Sequence, residues 1–169
     1  MKYYFYKYEE TELKEQRAKA RCLFKYVTGA EYVKDERGKP YIAGSNLHVS
    51  LSHCKAGTAC IIAEEPVGID VEEISRMNLN IARRICTENE LGLLENAEDK
   101  QDLLCKFWVL KEAYSKLTGK GLAENFSTID TIAGLERGKF HAERRGGVYI
   151  GVAATSSDCR PVGFYPSLL

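Results

Sequence analysis

The chain has no surplus charge of either sign: 24 Lys and Arg stand against 24 Asp and Glu in 169 residues. A protein that grips nucleic acid through its phosphates usually carries a basic excess, so the balance argues against such a partner. Long apolar runs are missing too; the longest is a few residues, where a bilayer span needs about 20. The opening MKYYFYKYEE alternates aromatic and charged residues and contains no signal-peptide core. Together these absences lead us to expect a cytoplasmic protein with no membrane association. No C-x-x-C pair occurs among Cys22, Cys54, Cys60, Cys86, Cys105 and Cys159, so they read as buried or free thiols in a reducing compartment. A zinc site is disfavoured for the same reason, and His48 and His53 fall on one expected strand without ligand spacing.

What is present is ordinary for a folded domain: 44% hydrophobic and 28% charged residues. The length suits one domain, or two small lobes sharing a core. Residues 2–8 (KYYFYKY) read as a strand. From Glu12 to Thr28, Leu13, Ala20, Leu23, Phe24 and Val27 recur at helical intervals, and Gly29 supplies a stop. Residues 34–39 (KDERGK) read as a polar turn before Pro40. In residues 47–53 (LHVSLSH) apolar and polar side chains alternate, as in a half-buried strand. Residues 58–63 (TACIIA) and 67–71 (VGIDV) flank the turn Glu64-Glu65-Pro66 and read as a hairpin. A short helix is expected over 78–85, and a second over 87–95, where Thr87 and Glu90 have capping-box spacing. The clearest helix covers 102–117, with Leu103, Phe107, Leu110, Tyr114 and Leu117 as its buried stripe and Gly119 at its end. Residues 129–155 read as strands around a Gly146-Gly147 turn.

The order of elements occurs twice. TACIIAEEPVGI (58–69) is echoed by IGVAATSSDCRPVGF (150–164), and KYVTG (25–29) by SKLTG (115–119). Each match is short, but their shared order predicts two similar α+β lobes about a pseudo-twofold axis. We place the N-terminal lobe at 1–66 and the C-terminal lobe at 67–169, packed as one compact unit.

Asp70 and Glu72 sit two apart in V-G-I-D-V-E-E-I (67–74), so on a strand they share a face opposite Ile69 and Val71. Two neighbouring carboxylates repel, and a hard cation such as Mg²⁺ relieves that repulsion. Taken alone, the same pattern equally describes two solvated carboxylates at a strand edge. Trp108, Glu112 and Lys116 follow at i, i+4 and i+8 on the long helix, beside its buried stripe, where a groove can form. Glu112 and Lys116 read either as a surface ion pair or as a metal ligand and a phosphate contact. Beyond them Thr118-Gly-Lys-Gly121 has glycines that let backbone amides approach a phosphate, without the spacing of a Walker motif.

G-I-D-V-E (68–72) followed by F-W-x-x-K-E-A-x-x-K-x-x-G-x-G-L (107–122) resembles the 4'-phosphopantetheinyl transferases. Upstream, G-K-P (38–40) and L-S-H-C (51–54) resemble two further blocks of that family, in the right order. These blocks and the internal repeat are closer to the two-lobed, Sfp-type branch than to the small trimeric holo-acyl-carrier-protein synthases. The resemblance implies transfer of the 4'-phosphopantetheine group of coenzyme A to a serine of an apo acyl or peptidyl carrier protein, with release of 3',5'-ADP. It implies Mg²⁺ on Asp70, Glu72 and Glu112, and coenzyme A contacts from Lys39, Pro40, Ser52 and His53, at the adenosine 3'-phosphate end. Lys111 and Lys116 would sit near the pyrophosphate, Glu112 would accept the serine proton, and Lys116 would stabilise the departing 3',5'-ADP. Cys54 stands where the family usually has a second serine, a change of similar size. The first lobe is shorter than usual for the two-lobed branch; Arg17, Lys19, Arg21 and Lys25 on the first helix are open to the 3'-phosphate. An acidic carrier is expected to dock at Arg76, Arg83 and Arg84, and the repeat suits a monomer. Two other readings compete: a catalytically inactive coenzyme-A- or carrier-binding homologue, and a Mg²⁺-dependent pyrophosphate or phosphodiester hydrolase.

Overall fold

The computed structural model describes residues 1–10, 12–36 and 38–166, the side chain of Leu122 apart. Arg37, in the expected polar turn, lies outside the described residues. The chain opens with β1 (Lys2–Lys7) and α1 (Leu13–Thr28), then the two-residue strands β2 (Val33–Lys34) and β3 (Pro40–Tyr41). The longer strands β4 (His48–Cys54), β5 (Gly57–Ala63) and β6 (Val67–Glu73) come next. Helices α2 (Ala82–Ile85), α3 (Glu88–Glu95), α4 (Lys100–Thr118) and α5 (Thr131–Glu136) precede β7 (Phe140–Arg145), β8 (Val148–Ala154) and β9 (Val162–Phe164).

Local chemistry sets the helix limits. Gly29 and Gly119 both take the left-handed conformation, φ 67° and 73°, which an L side chain resists. From there their amides bond back to Lys25 O and Ser115 O and end α1 and α4. Asp99 caps α4 by accepting from Asp102 N, and α3 begins in the full Thr87–Glu90 capping box.

One sheet has strand order β4-β5-β1-β9, with β9 parallel to β1 and the remaining pairs antiparallel; the other has order β6-β8-β7, all antiparallel. The two halves use the same plan. In the first, β1 leads through α1 to the hairpin β4–β5 and pairs with its second strand. In the second, β6 leads through α4 to the hairpin β7–β8 and does the same. The sheets meet through Tyr3, Phe5, Ala59 and Ile61 on one side and Ile69, Val71, Ile150 and Val152 on the other. Helix α1 covers the outside of the first sheet through Leu23 and Phe24, and α4 the outside of the second. The result is four layers, helix–sheet–sheet–helix. Ile69, Val71, Ile150 and Val152 are all fully buried, and each such side chain contributes about 1.5–3 kcal/mol of transfer free energy.

Three expectations need correction. Residues 58–63 and 67–71 are not a hairpin: β5 already pairs with β4 and β1 on its two edges, so the chain crosses at Glu64-Glu65-Pro66 to the other sheet. Strand β4 is not half-buried, because Ser50 and Ser52 are enclosed as well as Val49; its polar face meets β6. Region 129–155 contains a helix, α5, nucleated by Asp130, whose side chain accepts from Ile132 N and Ala133 N.

Two glycines decide how closely α4 lies on its sheet. A Cβ on Gly68 of β6 would overlap the Ala113 carbonyl oxygen and stand 2.7 Å from Leu117 N. A Cβ on Gly151 of β8 would stand 2.7 Å from Val109 C and O. Backbone on both sides leaves no flexible atom to yield. Gly68→Ala is therefore expected to cost about 3 kcal/mol, the upper end of overpacking penalties, while Gly92→Ala in α3, with nothing within 4 Å of the new methyl, gains up to about 1 kcal/mol from helix propensity. Urea unfolding midpoints of the two variants check the contrast.

Candidate active site

Asp70 and Glu72 project from β6 toward α4, while Ile69 and Val71 point into the inter-sheet core. From α4, Trp108, Glu112 and Lys116 come to meet them and are half-buried. Asp70 is 3% exposed. Its Oδ1 accepts from Ser52 Oγ and from Lys116 Nζ, both at 2.7 Å. Its Oδ2 is buried with no hydrogen-bond partner among the described residues, a state that costs about 1–3 kcal/mol for a polar atom and more for a charged one. The Trp108 indole N–H reaches Glu72 Oε1 at 3.5 Å.

Burial, reinforced by the Asp70 charge, pushes the Glu72 carboxyl up to about 7, and the same two causes in the same order push Glu112 up to about 7. The three acids therefore feel one another across one small space. They are not preassembled: among the described residues no three His, Cys, Asp or Glu side chains stand as a ready-made metal centre, and the cation on Asp70 is the Lys116 ammonium. The donor set is all carboxylate, the type a hard divalent ion takes. The orphaned Asp70 Oδ2 is the atom such an ion would satisfy, so the residues fit Mg²⁺ once Glu72 and Glu112 turn toward it.

Lys116 also lines a cleft of about 400 Å³ that runs between β4, the β2–β3 segment and the end of α4. Lys34, Lys39 and His53 contribute to its wall, as does Pro40, with Tyr32 as the aromatic surface. Lys39 Nζ donates to Leu117 O at 3.4 Å, and burial draws its pKa down. His53 bonds Gln16 Oε1 through Nδ1 at 3.3 Å. Burial first, then the charges of Lys116 and Arg17, holds His53 below its ordinary value, and Lys34 adds to this. A basic, partly dry cleft thus adjoins an acidic pocket, with Lys116 at the join.

Two expected contacts are corrected. Lys111 is fully buried on the other side of α4; its ammonium pairs with Glu90 at 2.7 Å and donates to Phe126 O at 2.9 Å and Ile129 O at 2.5 Å. It ties α3 and the segment after α4 to the helix and is closed off from the cleft. Ser52 spends its hydroxyl on Asp70 and is absent from the cleft wall, where Ser50 and Leu51 stand instead. Of the first-helix cations, Lys19 pairs with Glu10, Lys25 with Glu31, and Arg21 sits 5.6 Å over the Tyr32 ring. Arg17 is the one that acts on His53. Sequence reasoning missed Lys34 and left Arg17 unresolved. A glycine in mid-strand, such as Gly68, is a signal from which the close backbone approach could have been read, whereas nothing local singles out Lys34.

Residues 66–149 match the 4'-phosphopantetheinyl transferase superfamily. It is 37% identical over 91 residues to the 4'-phosphopantetheinyl transferase gsp of Aneurinibacillus migulanus, covering 53% of this chain and 38% of that protein. It is 36% identical over 95 residues to 4'-phosphopantetheinyl transferase psf-1 of Bacillus pumilus, covering 54% and 41%. To 4'-phosphopantetheinyl transferase Sfp of Bacillus subtilis strain 168 it is 32% identical over 91 residues, covering 52% and 41%. The chain matches about two-fifths of the length of these relatives.

Because Glu112 binds its proton more tightly when folded than its ordinary 4.5, the folded state holds a proton that the unfolded chain has lost between pH 4.5 and about 7. Ionised Glu112 therefore destabilises the metal-free fold, fully so above pH 7. Glu112→Gln should raise Tm by a few degrees over the parent at pH 8 in EDTA, with the gain shrinking toward zero as pH falls to 4.5. Paired thermal melts across that range check the sign.

Proposed function

We propose that the chain transfers the 4'-phosphopantetheine group of coenzyme A to a serine hydroxyl of an apo carrier protein and releases 3',5'-ADP. The observation that carries this reading is the meeting of Asp70, Glu72 and Glu112 around Lys116, which itself lines a basic cleft. Asp70, Glu72 and Glu112 would hold Mg²⁺; when bound, that ion neutralises pyrophosphate charge and polarises the phosphorus under attack. Lys39, Lys34 and His53 give the cleft the cationic and donor groups that an adenosine 3'-phosphate needs, with the Arg17 charge acting on His53, and Tyr32 offers a ring for the base. Glu112, half-buried on α4, would accept the serine proton. The serine oxygen forms the new P–O bond as the bond to the 3',5'-ADP oxygen breaks. Lys116 stands beside the pyrophosphate position and offers its ammonium to the oxygen that departs. Ser52 holds Asp70 in place from behind.

Incubating the protein with coenzyme A, Mg²⁺ and a panel of apo carriers, followed by intact mass measurement, tests the reading. Transfer adds the arm's mass to the carrier; release of free phosphopantetheine without modification would mean hydrolysis, and neither product would mean a binding homologue. Asp70→Ala should lower kcat by about 10²-fold or more, the scale on which loss of electrostatic stabilisation acts. Near-parental turnover in that variant would remove the metal assignment.

The reading includes an acidic carrier partner, a monomeric enzyme and a cytoplasmic setting. No helix among the described residues is long and apolar enough to cross a membrane. Arg76, Arg83 and Arg84 are exposed beside the turn that follows β6, with Arg76 4.0 Å from Glu73. Positive charge there would speed encounter with an acidic surface. Reversing Arg83 and Arg84 to Glu should raise the KM for carrier by about tenfold at low salt, leave the KM for coenzyme A unchanged, and lose its effect as salt rises.

A further inference from the structure

We infer that Lys116 is the resident cation of the metal-free site, and that a divalent ion exchanges with it on Asp70 and so delivers the ammonium to the cleft. The inference rests on the metal reading proposed above and adds an order of events to it. Asp70 is a buried carboxylate whose Oδ1 already takes two contacts, from Ser52 Oγ and Lys116 Nζ, while Oδ2 takes none. These two donors differ in what they can give up. Ser52 is enclosed on β4 and is fixed by that strand's pairing with β5. Lys116 has 31% of its side chain exposed, stands two residues from the end of α4, and borders the cleft. A flexible four-carbon stem lets its ammonium leave Asp70 without moving the helix.

An ammonium and a divalent ion within contact of the same carboxylate repel strongly in a partly dry pocket. The ion that satisfies Oδ2 therefore weakens the Lys116 contact on Oδ1. The nearest space for the displaced ammonium is the cleft it already lines; Asp35 is the acid in that wall, and with Lys34 and Lys39 also there the ammonium is best accommodated together with an anion. Release of Lys116 is thus coupled to arrival of the phosphates. In the free protein the same contact keeps a buried carboxylate from standing uncompensated.

The chain contains one tryptophan, and its indole lies 3.5 Å from Glu72 Oε1, so Trp108 fluorescence reports ion binding without any turnover. Mn²⁺ and Mg²⁺ titrations would be run on the parent, Lys116→Met, Lys39→Met and Asp70→Asn. Lys116→Met should tighten the ion's Kd by about tenfold, the effect of removing one competing contact of ordinary strength; Lys39→Met, which removes a nearby cation that bonds Leu117 O instead, should change it far less. In parallel, acetylation of the parent by a small amine reagent, read by peptide mass, should modify Lys116 several-fold faster with saturating Mg²⁺ than in EDTA. Equal effects of the two lysine variants, or Lys116 labelling unmoved by Mg²⁺, would overturn the exchange while leaving the metal site standing. A parent protein whose fluorescence does not respond to either ion, or an Asp70→Asn variant that responds normally, would overturn the metal reading itself and the exchange with it.

Discussion

The contact on which the site depends is backbone against backbone. Helix α4 lies on its sheet at Gly68 and Gly151 with no side chain between. Only at that separation do Glu112 and Lys116 reach the strand that carries Asp70 and Glu72. A sheet and helix spaced by ordinary side chains would leave the same four residues in place along the chain but out of one another's reach. The electrostatics follow from this closeness. Water is squeezed from between three acids, and that, more than their mutual charge, raises Glu72 and Glu112.

The buried Lys111–Glu90 pair serves the same end from the other side of the helix. Glu90 Oε2 accepts from Thr87 N, completing the α3 cap, and Oε1 accepts from the amide and hydroxyl of Thr131 at the start of α5. Lys111 binds the segment between through two carbonyls. A buried pair of this kind adds little net stability over an apolar substitute, but losing one partner is costly. Its value here is in holding α3, α4 and α5 in one relative position.

Much of this was legible in the sequence where the signal is local. Thr87 and Glu90 announce α3, Gly29 and Gly119 end the two long helices, and the two-residue and four-residue spacings put Asp70, Glu72, Glu112 and Lys116 on facing surfaces. The matching helix ends and Pro-Val-Gly segments pointed to a repeat, with which the strand–helix–hairpin order of both halves is consistent. What was not legible depends on partners distant in the chain. The turn at Glu64-Glu65-Pro66 looks the same whether the next strand pairs with β5 or leaves for another sheet; occupation of both edges of β5 decides it. Lys111 neighbours Glu112 in sequence, yet a helical step of 100° or so turns it to the far side, where Glu90 waits. Ser52 sits in the expected motif, but Asp70 behind it takes the hydroxyl that the cleft would otherwise have had.

Strand β9 lies parallel to β1 and closes the first sheet's outer edge. During synthesis, then, β1 is made well before residues 162–164, the neighbour that covers it. Until that neighbour arrives, a strand rich in tyrosine presents unpaired amides and carbonyls to whatever other nascent chains are near, the condition under which edge-to-edge association starts. Such long-range pairing also slows folding. Slow elongation between β1 and β9 lengthens the interval in which that edge stands open.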